Sequence, residues 1–317
     1  MSIRIEKAGL AASVQDLGRV GHRSLGIGPG GVMDRAAAEL INILLGNERD
    51  AAVVEMHFPA CDVVFENDAL FAIGGADFGA ELDGEKVGRW RVLRATADSK
   101  LCFEERVKGA RVYLSVRGGL DADEWLGSRS TNFAAELGGV SGRFLRDRDV
   151  IKFAGEADGE FRKSMVISRS LLPIYSSFPT VRITSGSEMD RLTSDGRAAF
   201  LETPFDLTND SNRLGFRLKG EPLSIDGEVE ILSSAVAAGT IQLLPDGQLV
   251  VLMADHQTTG GYPRLGHVAS VDLPLMAQLA PGDKVGFHLI SVEQAEDLAM
   301  ERELELNKLE AACKFAW

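Results

Sequence analysis

Ile241-Gln242-Leu243-Leu244-Pro245-Asp246-Gly247-Gln248-Leu249-Val250-Val251-Leu252-Met253 is two apolar runs around a turn. Pro245 presets φ and Gly247 accepts a positive φ, so the stretch predicts a hairpin with strands over residues 241–244 and 248–253. Outward from it, residues 53–58, 62–65, 69–73, 111–116, 150–153, 181–184 and 284–291 are β-branched or alternating runs of strand length. A second turn reads in Leu82-Asp83-Gly84-Glu85. Helical periodicity is confined to three places. Asp34 caps a helix from Arg35 to about Leu45, with Ala37, Leu40, Ile41 and Leu44 on one face and Gly46 at its end. Pro274 opens a short helix through Ala280, after which Pro281-Gly282-Asp283 turns the chain into the last strand. From Glu293 to Lys314 the chain is rich in Ala, Glu and Leu, with Leu306, Leu309, Cys313 and Ala316 at helical spacing, which predicts a solvated terminal helix able to dock on a partner. Many short strands with few helices argue for a mainly β barrel or sandwich architecture rather than a doubly wound sheet.

The chain has 317 residues, enough for two domains or one large one. The polar stretch Gly155-Glu156-Ala157-Asp158-Gly159-Glu160 places a division there: an N-terminal unit over residues 1–160, a C-terminal unit over 161–291 and a terminal helix over 292–317. A faint echo links residues 69–77 with 248–255, both apolar strands ending in Ala-Asp. With 34 Lys and Arg against 47 Asp and Glu, the net charge is −13. That balance argues against nucleic acid and anionic membrane surfaces as partners. Three cysteines without C-x-x-C spacing predict reduced thiols, and no His and carboxylate spacing supports a metal site. No signal peptide and no run of about 18 apolar residues reads in the sequence, so the expected location is cytoplasmic.

Gly26-Ile27-Gly28-Pro29-Gly30-Gly31 matches G-x-G-x-x-G, but Arg19-Val20-Gly21-His22-Arg23-Ser24 precedes it where dinucleotide binding needs an apolar strand. Walker, G-x-S-x-G and H-E-x-x-H motifs are absent. Three polar clusters remain. Ser13-Val14-Gln15-Asp16-Leu17-Gly18-Arg19 is either a site wall or a solvated turn. Arg117-Gly118-Gly119-Leu120, with Leu126-Gly127-Ser128-Arg129-Ser130-Thr131, offers Arg117 and Arg129 to a carboxylate or phosphate, or to acidic neighbours. Asp255-His256-Gln257-Thr258-Thr259-Gly260-Gly261-Tyr262-Pro263 sets a carboxylate, an imidazole, an amide, two hydroxyls and a phenol within nine residues after an apolar strand.

Taken in order, residues 13–19, Gly30-Gly31-Val32-Met33-Asp34, Gly75-Ala76-Asp77, residues 126–131 and residues 255–263 resemble one family, whose pattern Asn212-Arg213-Leu214-Gly215 and Pro281-Gly282-Asp283 also fit. It is the biotin-dependent carboxyltransferase-like family of allophanate hydrolase subunit 2, or KipA, usually equated with the C subunit of bacterial ATP-dependent 5-oxoprolinase. The resemblance implies two related cyclophilin-like β-barrel units. It implies partners as well: a KipI-like B subunit and a LamB/YcsF-type A subunit. The activity it implies is opening of 5-oxo-L-proline to L-glutamate at the expense of ATP, by a chain inactive alone, with ATP used at the level of the complex. The alternatives are the carboxyltransferase half of a urea- or allophanate-type complex, or a regulatory antagonist of a KipI-like kinase inhibitor. No lysine is flanked by methionines, as a biotin carrier requires, so biotin is not expected.

Urea, the biotin ureido ring and 5-oxoproline all present N–H beside C=O. On this resemblance Asp16, Asp77 or Asp255 accepts from the N–H. Arg19, Gln15 or loop N–H groups near Gly260 and Gly261 stabilise charge on the carbonyl oxygen. Arg117 or Arg129 takes the substrate carboxylate, while His256 and Tyr262 move protons. Gln257, Thr258 and Thr259 complete the binding loop.

Overall fold

The computed structural model describes residues 1–157, 159, 165–227, 231–315 and 317. Asp158 and Glu160 of the expected boundary, Lys163 and Ala316 lie outside the described residues. The chain forms two compact units. One comprises Met1–Arg19, Gly30–Ile174 and Glu303–Trp317, the other Val20–Pro29 and Tyr175–Arg302.

In the first unit a seven-stranded sheet runs in the order Leu120–Asp121, Val150–Phe153, Ser2–Lys7, Asp62–Phe65, Lys100–Phe103, Ala80–Leu82 and Glu85–Lys86. A five-stranded sheet runs Ala12–Gln15, Val53–His57, Lys108–Val116, Ala69–Asp77 and Leu93–Ala95. Ile3 and Ile5 alternate with polar residues because one face of their strand meets the core. Ala69–Asp77 and Lys108–Val116 are buried almost throughout, since the helix Arg35–Leu44 packs against both. That helix is the one its cap predicts: Asp34 Oδ1 accepts from Ala37 N at 2.9 Å, the expected apolar face is buried, and Gly46 follows at φ +70°. Gly74 permits the close approach, because a Cβ there would lie 2.7 Å from Ile41 Cγ2.

The second unit is built on a closed barrel in the order Thr180–Ser185, Arg264–Val268, Thr240–Leu243, Leu249–Leu252, Gly215–Lys219, Phe205–Leu207 and Lys284–Leu289, which returns to Thr180–Ser185 by a parallel pairing. The expected hairpin is present: Ile241 pairs with Val251 and Leu243 with Leu249, and Gly247 turns at φ +79°. Ile241, Leu243, Phe216, Leu218, Leu249 and Val251 are buried in the barrel. Period-two alternation therefore sends Arg217, Val250, Gln242 and Arg264 to the outer face, where register sets them side by side across four strands. The expected short helix is Leu273–Ala277, with Pro274 in its first turn. A helix over Ser194–Glu202, capped by Thr193 and seated by Phe200 against Phe205 and Phe287, had no sequence signal beyond its cap.

The terminal helix spans Val292–Lys314. Its residues from Glu303 onward belong to the first unit, where Arg49 bonds to Glu303 at 2.8 Å, Asn307 at 2.7 Å and Glu310 at 2.9 Å while Leu306 and Cys313 are buried. These last turns dock on their own chain. The three thiols are unpaired by disulfide, and burial pushes Cys61 and Cys313 up to about 11. No helix among the described residues is long and apolar enough to cross a membrane.

Candidate functional site

The first polar cluster folds as the strand Ala12–Gln15 followed by a tight turn, not as a loop throughout. Asp16, 8% exposed, ends that strand. Its Oδ1 accepts from Gly18 N at 2.7 Å, Ser128 Oγ at 2.6 Å and Ser130 Oγ at 2.6 Å, and its Oδ2 accepts from Arg129 N at 2.5 Å. One carboxylate thus fastens the segment 128–130 to the first strand of its sheet. Gln15 donates to Ser13 Oγ at 2.9 Å, and Arg19 donates to Ser130 O while its guanidinium lies 4.9 Å over Trp125. Gly31 shows why the glycine-rich run is needed here. A Cβ on it would lie 2.9 Å from both Leu17 C and Gly18 N, so the run packs backbone against backbone.

Beside this network is a groove of about 470 Å³ lined by Arg117, Arg129, Asp16, Asn47, Glu48 and Glu156, among others. Arg117 stacks 3.7 Å from the Trp317 ring centroid, and burial lowers its pKa. Arg129 reaches Glu124 at 3.5 Å. Asp77 lines neither groove. It pairs with Arg89 at 2.9 Å, an arginine the motif reading passed over.

The loop from Asp255 to Tyr262 belongs to the second unit. Asp255 is held in a fork by Arg213, Nε to Oδ2 at 2.7 Å and Nη2 to Oδ1 at 3.0 Å, and its N–H donates to Arg213 O at 2.9 Å. His256 is 2% exposed, with Nδ1 2.6 Å from Gln257 O. A carbonyl only accepts, so Nδ1 carries the proton and Nε2 is the acceptor of the neutral ring. Burial holds its pKa below the usual histidine value. Thr258 O accepts from Val236 N at 3.2 Å, Thr259–Gly260 pairs with Ser234–Ala235, and a Cβ on Gly261 would lie 3.2 Å from Ser233 Oγ. Gln257 and Tyr262 line a second groove, of about 490 Å³, with Asn212, Arg217, Gln242 and Val250. Sequence reading missed Gln242 and Arg217. The available signal was the outward row of the hairpin, in which Gln242 interrupts an apolar strand.

His256 makes a pH prediction. With the folded pKa below 6.5 and the unfolded value near it, the unfolded chain takes the proton first as pH falls. Its contribution is constant above pH 6.5 and is lost below it, down to the folded pKa, at no more than about 1.4 kcal/mol per pH unit. His267, also lowered by burial, acts in the same sense. Urea unfolding followed by circular dichroism at pH 7 and 5 should show this loss, and His256→Gln should reduce it, leaving the part that His267 contributes. An unchanged slope in the variant would remove the assignment.

Among the described residues no group of three or more His, Cys, Asp and Glu is arranged to hold a metal ion. The family model described as carboxyltransferase domain, subdomain A and B, matches residues 25–289, and the chain belongs to that family. It is 34% identical over 294 residues to the C subunit of 5-oxoprolinase from Escherichia coli (strain K12), covering 92% of this chain and 93% of that protein. The protein of the same name from Haemophilus influenzae is 32% identical over 298 residues, with 94% of each chain covered. Among solved structures, the K. lactis urea amidolyase superposes with a TM-score of 0.90 at 25% identity. The match takes in 97% of this chain and 20% of that one.

Proposed function

We propose that this chain is the C subunit of an ATP-dependent 5-oxoprolinase, which helps convert 5-oxo-L-proline to L-glutamate together with a KipI-like B subunit and a LamB/YcsF-type A subunit, and is inactive alone. The observation that carries this reading is the end-to-end similarity to two relatives of that name, over more than nine-tenths of both partners. Opening a lactam requires polarisation of its carbonyl and protonation of the departing nitrogen. The loop offers groups suited to both: the Tyr262 hydroxyl and the Gln257 amide face a groove, and His256 is a neutral imidazole beside them in sequence.

Neither groove fits a triphosphate. The first sets Arg117 and Arg129 against Asp16, Glu48, Asp50 and Glu156, and the second sets Arg217 against Asp210 and Asp246. ATP is therefore assigned to the complex as a whole. The cytoplasmic location and a reaction without biotin stand with this proposal. A second reading, the carboxyltransferase half of a urea-type complex, is favoured by the superposition on the K. lactis urea amidolyase. Reconstitution with the neighbouring A and B subunits in biotin-free buffer decides between them. Glutamate formation tied to ATP hydrolysis, and lost when this chain is omitted, is the expected result. A stable complex that leaves 5-oxoproline untouched would overturn it.

A further inference from the structure

Gln242 is 1% exposed, yet neither its Oε1 nor its Nε2 has a hydrogen-bond partner among the described residues. Buried side-chain amides are normally paired, and an apolar residue would serve a barrel strand better at this position. The side chain belongs to the outward row of Thr240–Leu243 and lines the groove with Asn212, Arg217, Val250, Gln257 and Tyr262. The loop keeps room for it: a Cβ on Gly260 would come within 2.5 Å of Gln242 Nε2. A primary amide in the wall of a groove, with donor and acceptor both unused, is complementary to one ligand element. That element is an N–H and a C=O held on the same side, which a small ring imposes and an open-chain trans amide lacks.

We propose that Gln242 binds the cis-amide edge of a five-membered lactam or cyclic urea, Oε1 accepting from the ligand N–H and Nε2 donating to its carbonyl. Where the ligand also carries a carboxylate, Arg217 on the same row receives it. The inference deepens the 5-oxoprolinase reading by giving the substrate a place, and it is tested apart from turnover.

The full chain is titrated calorimetrically with 5-oxo-L-proline, 2-pyrrolidinone and 2-imidazolidinone, with N-methyl-2-pyrrolidinone as the ring that lacks the donor. At least one N–H ring should bind saturably and the N-methyl ring at least tenfold more weakly, because a site built to pair an N–H rejects the analogue without it. Gln242→Leu and Gln242→Met should weaken binding at least tenfold without lowering the melting temperature, since they remove an unpaired amide. Arg217→Ala should weaken 5-oxoproline alone. Tight 5-oxoproline assigns the groove to a lactam carboxylate, and tight 2-imidazolidinone to a ureido source.

The inference is overturned by no saturable binding of any N–H ring, by equal binding of the N-methyl ring, or by unchanged binding in both Gln242 variants. It is equally overturned if both variants melt several degrees lower, which would make the amide structural. Undiminished 5-oxoproline turnover in a complex carrying Gln242→Leu would remove the inference and leave the functional reading standing. Ureido binding without turnover of 5-oxoproline would do the reverse.

Discussion

Asp16→Ala will destabilise the first unit by about 3–5 kcal/mol, the range expected when one partner of a buried, charged hydrogen-bond set is deleted. Four donors converge on this one carboxylate: two hydroxyls from Ser128 and Ser130 and two backbone N–H groups from Gly18 and Arg129. Alanine leaves all four facing a void in a region where Asp16 is 8% exposed, so water replaces few of them. Asp16→Asn should recover part of the loss, because its carbonyl still accepts while its amide nitrogen confronts donors. The measurement has a convenient probe. The chain's 3 tryptophans, Trp90, Trp125 and Trp317, all lie in the first unit, so tryptophan fluorescence reports its unfolding without the second. With a urea slope of about 2 kcal/mol/M, the midpoint should fall by roughly 2 M. A shift below about 0.5 M would show that the network is dispensable. The result also bears on function. With three donors on Oδ1 and one on Oδ2, the carboxylate is committed chiefly to holding this turn, which favours a positioning role for Asp16 over direct contact.

What the sequence made legible, and what it did not, follows from the range of the interactions. The helix Arg35–Leu44 was readable because its cap, apolar stripe and terminal glycine are local, and the hairpin around Pro245-Asp246-Gly247 for the same reason. Ser2–Lys7 escaped because Arg4 and Glu6 put charge on alternate positions of the less buried face, and Lys100–Phe103 because its four residues hold only two buried apolar side chains, Leu101 and Phe103. Such strands are chosen by cross-strand partners that no local window contains. The site divided along the same line. The loop from Asp255 to Tyr262 announced itself by its chemistry. Arg213 is 42 residues from Asp255 in the chain, and Gln242 is polar only in an apolar run, so each acquires meaning once register places it. Asp77, which the resemblance offered as an acceptor, pairs with Arg89 twelve residues on, a partner that its own motif does not contain.

Asp255→Ala, Arg213→Ala and the double variant should each lower kcat of the reconstituted complex about 100-fold or more, and to within threefold of one another. Both side chains of the pair are largely buried, at 12% and 21% exposed, and two parallel N–H···O bonds fix their orientation. The fork carries the strand end into His256 and the turn that presents Gln257 and Tyr262, so losing either partner releases the same loop. Misplacement of groups by about 1 Å is enough for a loss of this size. Because the two residues act as a unit, the cycle should give a coupling energy of about 2–3 kcal/mol, both in kcat and in the unfolding free energy of the second unit. Arg213→Lys should rescue little, since an ammonium cannot reproduce the planar fork. The alternative role separates cleanly. If Asp255 itself accepts the substrate N–H, Asp255→Ala must fall far below Arg213→Ala and the double variant must match it. An Arg213→Ala complex that retains full turnover would then move Asp255 from holding the loop to touching the substrate.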